Sequence, residues 1–182
     1  SAVILATGAS YRRLEVPSLE ALVGAGVFYG SPSSEASAFT GRDVFIVGGA
    51  NSAGQAALHL ARYARTVTLV VRADSLRAGM SEYLVRQIEA TDNIKVRLGC
   101  QVVGGGGGGR LEHLVLRDIG SQAEALVDAN ALFLLIGAHP NTDWLPPEIE
   151  LDAQGFVLTG SDVSRRRASL LDRSRFLLET SM

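Results

Sequence analysis

Between Asp43 and Arg72 the chain reads DVFIVGGANSAGQAALHLARYARTVTLVVR, and no other stretch restricts the fold as tightly. Residues 44–47 are apolar on both faces, the pattern of a parallel strand covered on both sides. Two glycines follow. From residue 51 to residue 64, Ala53, Ala56, Ala57, Leu60 and Ala64 recur at helical spacing, with Asn51 or Ser52 able to cap the start. Residues 66–71 are rich in Val and Thr and read as a second strand. Strand, helix and strand in succession make a βαβ unit, which is parallel and right-handed.

The flanking sequence extends this pattern. Residues 3–6 read as a buried strand ending at the turn Thr7-Gly8, and residues 26–29 as a short strand. Residues 30–41, GSPSSEASAFTG, have the composition of a linker. A helix is expected over 81–90 with Leu84, Val85 and Ile88 inward, then a strand over 93–98. Residues 101–103 and the segment RLEHLVLRD flank six consecutive glycines, Gly104 to Gly109, as two antiparallel strands around a flexible tip. Residues 123–127 add a third strand, residues 131–136 a last buried one ending at Gly137, and RFLLETSM is strand-like. The fold class is therefore α/β: a Rossmann-like doubly wound parallel sheet with an antiparallel hairpin or meander insertion.

Composition removes several function classes. The 182 residues are 47% hydrophobic and 20% charged, which suits one domain with a full core. A net charge of -2 gives no global attraction to nucleic acid or to an anionic membrane. The cluster Arg165, Arg166, Arg167, Arg173 and Arg175 reads as a solvated loop. Cys100 is the only cysteine, so neither a CxxC pair nor a multi-cysteine metal site can form, and its neighbours suggest a buried, inert thiol. His59 and His113 read as packed or surface residues, and no metal ligand set is expected. The longest apolar run is too short to span a bilayer, so a cytoplasmic protein is expected. Both ends fall in strand-like sequence, as in a piece of a longer protein.

The chemistry concentrates in Gly48, Gly49, Ala50, Asn51, Ser52 and Ala53, readable as G-x-A-x-x-A, a relaxed dinucleotide fingerprint. Gly48 makes the tight turn, Ala50 lets a pyrophosphate approach the backbone, and Ala53 lets the helix pack on the strand. The helix start offers free N–H groups and a positive dipole end. At the end of the second strand an acidic residue would select NAD; here Arg72, with Arg77 shortly after, suits the 2′-phosphate of NADP. A charge-assisted hydrogen bond of about 1.5–3 kcal/mol gives about ten- to hundred-fold discrimination. A rival reading takes residues 50–54 as A-x-S-x-G, a nucleophile elbow with Ser52 as nucleophile, Asp118 or Asp128, and His139. Two glycines between strand and serine count against it.

The segments VILATGASYRRLEVP, GVFYG, GRDVFIVGGANSAGQAALHLARYARTVTLVVRADSLRA, LFLLIGAHPNTDWL and LDAQGFVLTG, in this order, resemble the thioredoxin reductase family of two-dinucleotide-binding-domain flavoproteins. The nearest flavour is the type fused to a cyclic-nucleotide-binding domain. The resemblance implies residues 1–40 as the end of a first FAD-domain segment and linker, 41–160 as the NADPH-binding domain, and 161–182 as the way back to the FAD domain. It implies NADPH bound here, with Ile136 and Gly137 lining it, FAD held mostly outside these residues, and hydride passing from NADPH to FAD. Implied partners are the FAD domain of the parent chain and an unknown electron acceptor, with a homodimer only for the full-length protein.

Three departures stand out. Ala73 replaces the second of two adjacent arginines, Gln55 stands for a glutamate, and Gly30, Ser31, Pro32 and Ser33 occupy the place of the redox CxxC. Without those thiols, direct disulfide reduction is doubtful. The isolated fragment is expected to bind cofactor without turning over. The opposing function class is a non-catalytic nucleotide-sensing or interaction module.

Overall fold

In the computed structural model, residues 3–30, 36–163 and 176–181 are described. Ser31, Pro32 and Ser33, and the arginines at 165–167, 173 and 175, lie outside them. Along the chain run β1 (Ala9–Tyr11), α1 (Pro17–Glu20), β2 (Val27–Tyr29), β3 (Asp43–Val47), α2 (Asn51–Leu60), β4 (Thr66–Val70), α3 (Glu82–Glu89), β5 (Ile94–Arg97), β6 (Cys100–Gly106), β7 (His113–Asp118), β8 (Glu124–Asp128), β9 (Ala131–Leu134) and β10 (Ala138–Pro140). They fall into two compact units, Arg13–Ile136 and a second made of Ser1–Arg12 with Gly137–Met182.

The Arg13–Ile136 unit is built on a five-stranded sheet in the order β2-β9-β3-β4-β5, every pairing parallel. Alternation along the strands explains its two faces. Val44 and Ile46 of β3, Val67 and Leu69 of β4 and Ala131 and Phe133 of β9 pack with Ala53, Ala56, Ala57 and Leu60 of α2 and Leu84, Val85 and Ile88 of α3. Phe133 stacks on Phe28 at 5.1 Å and meets Phe39 edge-on at 5.3 Å. Phe45, Val47, Val70, Leu132 and Leu134 point the other way, toward Leu19 and Leu22 around α1 and toward Val102, Leu114 and Leu116 of a three-stranded antiparallel sheet, β6-β7-β8. The expected α/β sheet with its antiparallel insertion is present, with helices α2 and α3 on one face and the meander on the other.

Three expectations are corrected within this unit. Helix α2 ends at Leu60, and its N-cap is Ala50, whose methyl group caps nothing; neither Asn51 nor Ser52 caps the start. The glycine run is only partly a hairpin tip, because Gly104, Gly105 and Gly106 are paired strand residues facing Val115, Leu114 and His113. A Cβ on Gly105 would lie 2.7 Å from both the His113 carbonyl oxygen and Leu19 Cδ2, so the missing side chain is what lets Leu19 close on β6. The last parallel strand stops at Leu134.

In the second unit β1 pairs antiparallel with β10. The Asn141 carboxamide ties this two-stranded sheet, accepting from Ser10 Oγ at 2.9 Å and donating to the Thr7 carbonyl at 3.1 Å. Residues 3–6, expected as a buried strand, form none, and Val3 and Ile4 are 87% and 89% exposed. The strand-like reading of the final segment also fails where it is described: Phe176, Leu177 and Leu178 are exposed and outside any strand. Apolar composition makes a strand only where a sheet edge is there to receive it.

Candidate functional site

Strand β3 delivers the chain into the site. Its last residue, Val47, faces Val70 in the parallel register and accepts from the Leu135 N–H at 2.9 Å, so β3 is flanked on both sides where it ends. The next residue, Gly48, has φ 151°, in the region only glycine occupies without strain. Space gives a second reason for glycine. A Cβ here would lie 2.5 Å from the Leu135 carbonyl oxygen and 3.0 Å from Ala53 Cβ. Gly48 and Ala53 thus perform the turn and the helix-to-strand approach that their spacing suggests. At Gly49 a Cβ would come within 2.8 Å of Val71 Cγ1.

Helix α2 begins at Asn51 with no side chain on its first N–H groups. The Ala50 carbonyl accepts from Ala53 and Gly54, at 3.0 and 3.2 Å, while the N–H groups of Asn51 and Ser52 have no acceptor within the helix. An Asx or Ser cap would occupy those donors. Ala50 leaves them, and the positive end of the helix, to an acceptor from outside. Asn51 does different work: its Oδ1 accepts from the Ser81 N–H at 2.7 Å, fastening the start of α3 to the start of α2.

That bond seats a segment the sequence reading passed over. A Cβ on Gly79 would lie 3.2 Å from the Gly49 carbonyl oxygen, and one on Gly54 would lie 2.8 Å from Met80 Sδ. Gly79 and Met80 therefore close over the glycine turn and the first turn of α2. Nothing local betrays them: Gly79 has an ordinary negative φ, and only the tertiary contact shows why it is small.

The two arginines differ in state. Arg72 follows β4 at the same sheet edge, is exposed, and forms no ion pair among the described residues. Arg77 is also exposed but is taken up by α3, its Nε donating to Glu82 at 3.0 Å and its two terminal nitrogens to Glu89 at 3.1 and 3.4 Å. Those contacts raise its pKa, the Glu89 hydrogen bonds most, while Arg86 and then Arg77 hold the Glu82 carboxyl below the usual range. Ile136 is half-buried directly after Leu135, and Gly137, with φ 95°, opens the other unit.

The site cannot work as a nucleophile elbow. Ser52 sits inside α2, in its first turn, rather than on the turn that leaves the strand. The Asp118 carboxylate accepts from the Ser121 N–H and hydroxyl at 2.7 and 2.8 Å. Cys100 is buried, and burial pushes its thiol pKa up, against nucleophilic use.

The chain is similar to known proteins over most of its length. Residues 1–164 match the family described as pyridine nucleotide-disulphide oxidoreductase. The chain is 35% identical to a thioredoxin reductase of Penicillium chrysogenum over 163 residues, 87% of this chain and 48% of that protein. It is 35% identical to one from Mycolicibacterium smegmatis over 156 residues, 86% of this chain and 49% of that protein. The fold is shared with the crystal structure of T. acidophilum thioredoxin reductase at a TM-score of 0.75 and 22% identity, covering 96% of this chain and 52% of the other. The chain spans about half the length of these relatives.

Proposed function

Since the chain belongs to the pyridine nucleotide-disulphide oxidoreductase family, in its thioredoxin reductase branch, we propose that it binds NADPH at the turn between β3 and α2. The family uses FAD and NADPH. The observation carrying the reading is the start of α2, which no side chain caps and which follows directly on the glycine turn at the end of β3. The backbone N–H groups of Asn51 and Ser52 receive the pyrophosphate, and Ala50 presents no more than a methyl group to it. Arg72 meets the 2′-phosphate with an unshared guanidinium. Arg77 can join it only by loosening Glu82 and Glu89. Ile136 lines the cofactor further on within the same unit, whereas Gly137 and the residues after it in the expected 41–160 domain belong to the other unit.

Bound NADPH supplies a hydride, which in the parent protein goes to FAD held by its FAD domain and then to an electron acceptor this chain does not specify. Disulfide reduction by residues of this chain is not part of the proposal, because its single cysteine is buried and has no partner thiol. Calorimetric titration with NADPH and NADH tests the reading. NADPH is expected to bind at least about tenfold more tightly, and Arg72→Ala to remove that preference. Absence of binding by either nucleotide at millimolar concentration overturns it.

A further inference from the structure

The Arg13–Ile136 unit holds a cavity at the opposite end of the strands that lead into the glycine turn. It measures about 440 Å³, within the range of small-molecule sites. Strand β3 lines it with Asp43 and Phe45 and β4 with Thr66 and Thr68, whereas the turn is reached beyond Val47 and Val70. At about 3.3 Å per residue, Asp43 and Val47 stand about 13 Å apart, so the two sites need not exclude each other.

The lining has two characters. Phe45, Leu116 and Val127 make an apolar wall where the parallel sheet meets the meander. On the edge strand β5, Ile94 and Val96 pack on the helix side, which sends Lys95 and Arg97 to the cavity side. Neither Lys95 nor Arg97 forms an ion pair among the described residues. Arg65, also at the cavity, is held by Asp43 and feels Asp128. Three cations thus stand against two carboxylates, a surplus suited to one negative charge.

Thr68 completes the lining: it is only 6% exposed, its hydroxyl forms no side-chain hydrogen bond among the described residues, and, because no buried side-chain polar atom there lacks a partner, that hydroxyl is open to the cavity. We propose that this cavity binds a small organic acid, its carboxylate between Lys95, Arg97 and the Thr68 hydroxyl and its apolar body against Phe45, Leu116 and Val127. This site is independent of the nucleotide reading.

Sodium benzoate is the probe, with benzamide as its uncharged isostere, and thermal unfolding of the 182-residue chain at constant ionic strength is the readout. Benzoate is expected to raise the Tm saturably at millimolar concentration and benzamide not to. Thr68→Val, nearly isosteric, should weaken benzoate about tenfold. Lys95→Gln with Arg97→Gln should abolish the effect, while Arg72→Ala leaves it intact, circular dichroism confirming that each variant folds. No saturable shift, an equal shift with benzamide, persistence in the Thr68 or double variant, or loss in Arg72→Ala overturns the proposal.

Discussion

Among single residues, Arg77 separates what a motif offers from what a structure grants. Its position after the second strand suits a 2′-phosphate, yet the guanidinium is occupied by Glu82 and Glu89. Because the arginine contacts lower the folded-state pKa of Glu82, its hold on Arg77 is lost only as pH falls through that lowered value, and mild acid does not remove it. Mutation does. With Glu82→Gln and Glu89→Gln together, NADPH should bind about twofold to fivefold more tightly, the scale of exposed ion pairs, while NADH is unchanged. Weaker NADPH binding would mean that the glutamates aim Arg77 rather than detain it. The sequence could supply the arginine but not its partners, since Glu82 and Glu89 come to it from the helix that follows. Gly48, by contrast, was legible, because strand, glycine turn and helix lie in one short stretch.

For elements, the lesson concerns glycine. Six in a row read as a flexible tip, yet their roles differ once β6 is paired. Gly105→Ala puts a methyl group 2.7 Å from the His113 carbonyl oxygen and from Leu19 Cδ2, and should cost about 1–3 kcal/mol as overpacking. At Gly108 the nearest atom is Glu112 Oε1 at 4.0 Å and φ is not positive, so Gly108→Ala should be neutral or gain about 0.4–1 kcal/mol by restricting the unfolded chain. Urea unfolding of both variants checks this, and equal effects would show that the run behaves as one flexible loop. Strands β3 and β4 and helix α3 were readable from periodicity. Four-residue α1 and three-residue β1 and β10 were not, because elements that short carry no period and, unlike the Val27–Tyr29 run of β2, these have no apolar run to mark them.

At the scale of the whole molecule, the five parallel strands, three meander strands and two large core clusters found among the described residues belong to the Arg13–Ile136 unit. It therefore contains what a domain requires. A chain of residues 13–136 should unfold cooperatively in urea, with circular dichroism and tryptophan-independent probes giving coincident transitions. A broad, non-cooperative melt would show that the unit depends on the remainder. The division at Arg12 and Ile136 was not legible in the sequence, where β9 and the segment after it read as one continuous strand. It becomes visible only when Ala138–Pro140 pairs back onto Ala9–Tyr11.

Gly48 answers to two masters, since the same missing side chain that opens the turn also lets the Leu135 carbonyl and Ala53 pack. A lineage that ceased to need the nucleotide would still be obliged to keep this glycine to go on folding. Nothing structural would restrain Arg72 from drifting, exposed and unpaired as it is among the described residues. Among descendants of such a chain, then, the glycine is a record of architecture, and the arginine is the residue whose loss would mark the end of a trade in electrons.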